Sequence, residues 1–299
     1  TVLYYNSVID FPQYSVHQRL LDNTSLMLHN STGDVVKISC PSPTQTCDIF
    51  DLGNPETQAL FMDVCMNATK SGYVDGCFLD RAQQLGNVYH MDPATAARYA
   101  AGHSSTFPKL QALLAPGPLI ANTGFGLIGA PSFPGFYMVE FFTACQDSIS
   151  QLLQIVKKGR GALVHGSRGD ESEMAAFLIG AGYNSFFGIG GWGSADTEAV
   201  LRTQHWRPQF KLPLGEPYGD AELNNGVWQR RFVHVNVTFD TTSKTGRIQG
   251  WPFKGGAHAN WNQPVRKTAP KTTRVGTMTS ESSKLKFAPA ADDVLEAVW

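Results

Sequence analysis

The sequence predicts an α/β protein built as a (β/α)8 barrel of the TIM type, ending in a small β-hairpin and an irregular tail. Three observations carry this reading. Short apolar, β-branched or aromatic runs alternate with segments of helical period from residue 2 to residue 205. Two of those runs, Val74-Asp75-Gly76-Cys77-Phe78-Leu79-Asp80 and Phe136-Tyr137-Met138-Val139-Glu140, end on a carboxylate. With 299 residues and 42% hydrophobic content, the chain can bury one large core of the size such barrels need.

The first strand is read over Val2 to Ile9, a β-branched and aromatic run. Residues 10–53 form a long irregular insertion with a short strand at Val35 to Ile38. It leaves from the strand end that carries sites in barrel enzymes. Asn54-Pro55 gives a cap and first-turn signal, and Leu60, Phe61, Val64, Cys65 and Ala68 follow at helical spacing up to Gly72. The Val74 to Leu79 strand comes next, then a helix from Asp92-Pro93 that is interrupted at Pro108 and resumes through Leu114.

Leu119 to Asn122 and Phe136 to Glu140 read as strands, Asp147 to Lys158 as a helix stopped by Gly159, and Ala162 to His165 as a strand. Glu171 to Gly180 is helical, Tyr183 to Ile189 extended, and Ser194 to His205 a helix capped by Ser194. Six strands therefore precede residue 190. Eight are needed, and the tail offers a hairpin of Arg231 to Phe239 with Arg247 to Gly250, turned by Lys244-Thr245-Gly246, in place of further βα units. The expectation is a barrel domain over residues 1–250 lacking N-terminal strands, followed by an irregular extension over 251–299.

Twenty-four basic and 25 acidic residues leave a net charge of −1, which gives no field to attract nucleic acid or an anionic membrane. No apolar run approaches the ~20 residues that cross a bilayer. The chain opens on Thr1 with neither Met nor a leader, and is read as processed or incomplete. Sequons at Asn23, Asn30, Asn67 and Asn236 together point to a secreted glycoprotein. A disulfide between Cys40 and Cys47 suits the Pro-, Ser- and Thr-rich stretch around them. Cys65 and Cys77 read as buried thiols, and the pairing of Cys65, Cys77 and Cys145 is left open. No CxxC or HxxxH spacing calls for a metal, and no motif calls for a cofactor.

Two acids on the C-terminal tips of two parallel strands are what glycoside hydrolysis requires: one protonates the leaving oxygen, the other attacks or activates water. Asp80 and Glu140 are the catalytic candidates. Strand alternation puts Asp80 with Phe78 and Gly76, and Glu140 with Met138 and Phe136, while Cys77 and Leu79 pack outward under helices. The plainer reading is that either acid caps a helix or pairs with a base such as Arg81. Asp75 sits at the strand start and suits a turn or salt bridge; Asp10 is a reserve carboxylate. Asp147, Asp170, Glu171 and Glu173 read as solvated or as helix N-terminal acids.

Tyr5, Asn6, Arg81, Asn122, His165 and Trp192 lie at or next to strand ends and are the candidate substrate-binding residues, offering hydrogen bonds and aromatic platforms. The plainer reading of His165 is a hydrogen-bonded structural histidine, and of Trp192 a core residue. Gly188-x-Gly190-Gly191-x-Gly193 has neither the Lys-[ST] ending of a P-loop nor the dinucleotide spacing, and no G-x-S-x-G elbow occurs.

The segments Leu3-Tyr4-Tyr5-Asn6-Ser7, Phe50-Asp51-Leu52-Gly53-Asn54-Pro55-Glu56, Val74 to Arg81, Val139-Glu140, Pro213-Leu214-Gly215-Glu216-Pro217 and Trp228-Gln229-Arg230-Arg231-Phe232 resemble the TIM-barrel glycoside hydrolases grouped as hypothetical glycosyl hydrolase family 15. They resemble endo-α-1,4-polygalactosaminidases more distantly. The resemblance implies a secreted carbohydrate-active barrel whose acids are the second Asp of Asp75-Gly76-x-x-x-Asp80 and Glu140. Family members carry strand sequence ahead of the Tyr-Tyr-Asn segment, which this chain lacks. With two strands added, Asp80 and Glu140 fall on strands four and six, as in barrels of the α-galactosidase type.

The expected function is therefore that of a secreted glycoside hydrolase acting on a polysaccharide or glycoconjugate. The competing expectation is a glycan-binding or structural relative, without turnover, among partners in an extracellular assembly. The distance between the two carboxyl groups separates them: about 5 to 9.5 Å across a cleft favours an enzyme.

Overall fold

The structure is a computed structural model and describes residues 1–39, 46–82, 91–123, 132–189, 210 and 213–250. In chain order the N-terminal half contains β1 (Val2–Asn6), β2 (Ile9–Asp10), α1 (His17–Asp22), β3 (Lys37–Ser39), β4 (Thr46–Ile49), α2 (Pro55–Lys70), β5 (Gly76–Asp80), α3 (Pro93–Leu114) and β6 (Leu119–Asn122). There follow β7 (Phe136–Phe142), α4 (Gln146–Lys157), β8 (Gly161–Gly166), α5 (Glu171–Gly180) and β9 (Ser185–Ile189), then β10 (Glu222–Asn224), β11 (Val227–Arg231), β12 (Asn236–Asp240) and β13 (Thr245–Gln249).

The centre is a six-stranded parallel sheet in the order β1-β5-β6-β7-β8-β9. Each strand lies beside the parallel strand that precedes it in the chain, without the reversal that marks doubly wound folds. Among the described residues the sheet is open, with β1 and β9 at its edges. One face is sealed: Leu3, Tyr5, Cys77, Leu79, Tyr137 and Val164 are buried there. The opposite face, with Tyr4, Phe78, Asp80, Glu140, Leu163 and His165, is only half-buried. This alternation matches the parity expected for Asp80 and Glu140, and Cys65 and Cys77 are buried as expected.

The helices begin where their caps dictate. Asn54 Oδ1 accepts from the Glu56 amide at 2.9 Å, Asp92 Oδ1 from the amides of Ala94 and Thr95, and Asp170 Oδ1 from that of Glu173. Gly159, at φ +69°, ends α4. The interruption expected at Pro108 does not occur, and α3 runs through it. A proline inside a helix costs ~3 kcal/mol, but Tyr99, Phe107, Leu110 and Leu114 bury one face along the whole of α3, and each such side chain contributes about 1.5–3 kcal/mol. At Gly76 a β-carbon would stand 2.1 Å from the Pro118 carbonyl, so only glycine lets β5 and the approach to β6 lie this close.

The strand expected over Val2 to Ile9 is two strands. Asn6 Oδ1 accepts from the amides of Val8 and Ile9, a side-chain turn that ends β1 and sends β2 to pair with β4. The insertion is a folded subdomain built on the sheet β2-β4-β3, with Leu20, Leu26, Leu28, Ile49 and Phe50 buried. Arg98 of α3 reaches back to Asp51 at 2.7 Å and ties the insertion to the helices that cover the parallel sheet.

The expected C-terminal hairpin is in fact a four-stranded antiparallel sheet, β10-β11-β12-β13. The run Arg231 to Phe239 is broken by a turn closed from the Phe232 amide to the Val235 carbonyl. The overlooked pair β10-β11 is turned by Asn225-Gly226, both at positive φ (49° and 81°), the conformation of a two-residue hairpin loop. This sheet packs on α5, and Arg230 donates to the carbonyls of Leu178, Ile179 and Ala181 at the end of that helix. Residues 251–299, the Ser194 to His205 helix, Cys40 and Trp192 lie outside the described residues. Among the described residues no helix is long and apolar enough to cross a membrane.

Candidate active site

Asp80 is the last residue of β5 and Asn6, the last of β1, lies directly beside it in register. On the other side Leu79 pairs with Ala121 and Asn122 with Met138, so Asn122 stands between the tips that carry Asp80 and Glu140. Its amide nitrogen donates to Asp80 Oδ1 at 2.9 Å and to Glu140 Oε2 at 2.8 Å. Two oxygens bonded to one nitrogen can be no farther apart than two hydrogen bonds end to end, roughly 6 Å. Asn122 is 3% exposed, which holds it in that position.

Asp80 has donors on both oxygens. Oδ1 also accepts from the Arg81 amide at 2.9 Å; Oδ2 accepts from the Tyr4 hydroxyl at 2.7 Å and lies 3.4 Å from Asn6 Nδ2. The amide donors can only donate, so both Asp80 oxygens act toward them as acceptors. Among the described residues Glu140 accepts from Asn122 and is half-buried.

Each acid is followed by a residue at positive φ. Arg81 has φ 52° and Phe141 φ 56°, and at Phe141 the β7-β8 register slips between Val139 and Phe142 as a bulge. The turn past Asp80 is fixed from below: the Ala82 amide donates to the Asn122 carbonyl at 2.7 Å, and buried His103 Nε2 lies 3.1 Å from the Ala82 carbonyl. Burial pulls the His103 pKa down to about 4, partly offset by that carbonyl, so the ring is neutral at physiological pH.

The remaining candidates divide. His165 lies on the same sheet face as Leu163 and flanks Glu140 across the β7-β8 pair, where Val139 is in register with Val164. Arg81 is exposed at the rim. Tyr5 is a correction: it is 0% exposed on the helix side, packed against the rings of Tyr14, Phe50 and Phe61. The tyrosine at the site is Tyr4, its ring stacked on Phe78 at 5.9 Å; alternation alone, counting back from Asn6, would have selected it. Asp75 pairs with the Thr1 amino group at 2.6 Å, before the strand begins. The reserve acid Asp10 is buried in the insertion sheet, bonded to His17 at 2.6 Å. Glu173 is fully buried, accepting from the amides of Ser167, Arg168 and Gly169, which fixes the loop past His165.

The sequence profile of hypothetical glycosyl hydrolase family 15 matches residues 1–236. The chain belongs to that family. No curated protein matches this family 15 chain. Among solved structures it is similar to the glycoside hydrolase domain of PelA from Pseudomonas aeruginosa, at 15% identity and a TM-score of 0.43, over 68% of this chain and 79% of that one. It is also similar to a Paenibacillus cycloisomaltooligosaccharide glucanotransferase complexed with cycloisomaltoheptaose, at 12% identity and a TM-score of 0.39, over 57% of this chain. An α-galactosidase from Thermus thermophilus matches over 46% of this chain at 15% identity and a TM-score of 0.32. The family 15 chain spans 27% of the length of each of these last two proteins.

Proposed function

We propose that the chain is a retaining glycoside hydrolase in which Asp80 is the nucleophile and Glu140 the general acid/base. The observation that carries this is the single Asn122 nitrogen donating to both carboxylates. The ceiling of roughly 6 Å that it sets on the bridged oxygen pair suits the ~5–5.5 Å spacing of retaining sites.

The roles follow from the surroundings. Asp80, held by four hydrogen-bond donors, attacks the anomeric carbon as Glu140 gives a proton to the departing glycosidic oxygen. Water then attacks the same carbon, Glu140 takes its proton, and the ester electrons return to Asp80. Asn6 and His165 flank this centre as hydrogen-bonding groups for sugar hydroxyls, and Arg81 belongs to its rim in the same reading.

We further infer a secreted enzyme acting on a polysaccharide or glycoconjugate, its six parallel strands forming part of a β/α barrel. The sequential strand order supports the barrel. Exposed sequons at Asn23, Asn67 and Asn236 support secretion.

The test is azide rescue on a glycan and aryl-glycoside panel. Asp80→Ala is expected to lose hydrolysis and give a glycosyl azide of inverted configuration; Glu140→Ala is expected to give a retained one. Full activity in both variants, or inversion by the wild type, defeats the assignment.

A further inference from the structure

We propose that Tyr4 is a positioning residue for the second half of the reaction, its hydroxyl stabilising the Asp80 carboxylate as it leaves the glycosyl–enzyme ester. This rests on the retaining reading above. The two residues sit on neighbouring parallel strands, with Tyr4 in register with Phe78, two positions below Asp80. The Tyr4 ring stacks on Phe78 with an interplanar angle of 19°, which aims its hydroxyl along the strand at Asp80 Oδ2, 2.7 Å away.

The phenol is half-buried, and burial first, then the charge and hydrogen bond of Asp80, raise its pKa well above the ordinary range. It therefore keeps its proton and donates at every pH at which a glycosidase works. In the ester, the Asp80 carboxyl is neutral and the hydrogen bond weak. When water attacks the anomeric carbon, the bond from that carbon to the Asp80 oxygen breaks and its electron pair returns to the carboxylate. The water proton goes to Glu140, and the Tyr4 hydrogen bond regains its full strength. Tyr4 thus favours the departing carboxylate over the ester, and it acts on deglycosylation more than on ester formation.

The experiment compares wild type and Tyr4→Phe on the 2,4-dinitrophenyl glycoside that the wild type cleaves fastest in a panel of α- and β-hexosides. Losing one charge-assisted hydrogen bond is expected to lower kcat by about 10- to 100-fold. KM should fall with it, leaving kcat/KM within a few-fold, and quenched samples should carry one hexosyl unit by intact mass. A general packing defect moves KM up or leaves no covalent adduct. Unchanged kcat in a folded Tyr4→Phe protein overturns the proposal while the retaining reading stands. A wild type that cleaves nothing in the panel removes both.

Discussion

Arg81 and Phe141 share one backbone conformation, each in the left-handed region with φ of 52° and 56°, and each directly follows one of the two paired acids. For a residue with a β-carbon this costs roughly 1–2 kcal/mol. After Asp80 the positive φ ends β5, whereas after Glu140 it forms a bulge within β7, which pairs with β8 again at Phe142.

Substitution at residue 81 should therefore depend on shape more than on charge. Arg81→Val, branched at the β-carbon, is expected to lower stability by about 1–2 kcal/mol in urea unfolding, and Arg81→Gly to be neutral or slightly stabilising. A valine variant as stable as the wild type would show that this conformation carries no strain.

Asn122 keeps two carboxylates apart with two protons of one nitrogen. Replacing it by Leu keeps the length and branching of the side chain and removes both donors, leaving the acids facing each other without a mediator. The expected loss in kcat/KM is about 100-fold, with the secondary structure intact by circular dichroism. A change under threefold would mean that the bridge plays no part in turnover.

Two buried groups pull stability in opposite directions below neutrality. His103, with its pKa lowered from 6.5 to about 4 by burial, contributes stability that is complete above pH 6.5 and is lost as pH falls toward 4. Asp10, raised from 3.8 to about 6 by burial against the lowering influence of His17, contributes stability that grows as pH falls from 6 toward 3.8. The two offset each other in the wild type. In Asp10→Asn only the histidine effect remains, and denaturation between pH 6.5 and 4 should show a decline steeper by about 3 kcal/mol. Parallel curves for the two proteins would contradict the pairing.

Arg230 joins the C-terminal sheet to α5 by donating to three carbonyls at the helix end, two of them at 3.0 and 3.3 Å. Arg230→Met should cost about 1.5–3 kcal/mol in stability and leave kcat/KM unchanged, since none of its partners lies at the carboxylate pair. An equal loss of activity at full folding would place the sheet in the catalytic unit.

Strand ends were the legible part of this chain. Apolar runs closing on Asp80, Asn122 and Glu140 are visible without coordinates, and period-2 alternation assigns each a face. The same rule separates Tyr4 from Tyr5, because only one of two adjacent residues can share the face of Asn6. Asn225-Gly226 announces the missed β10-β11 hairpin, but the flanking residues, Glu222, Asn224, Gln229 and Arg231, are polar and hide the strands from a reading based on hydrophobicity. The positive φ of Arg81 and Phe141 has no local signal, since neither residue type favours it; tertiary contacts impose it. The continuity of α3 through Pro108 is likewise decided by what the helix packs on.

The order of the parallel sheet makes the acid pair a local product of the chain. Asp80, Asn122 and Glu140 sit on β5, β6 and β7, three strands that are neighbours both in sequence and in space. Among the described residues β8 and β9 then cover the outer edge of β7, and β8 adds His165 beside Glu140.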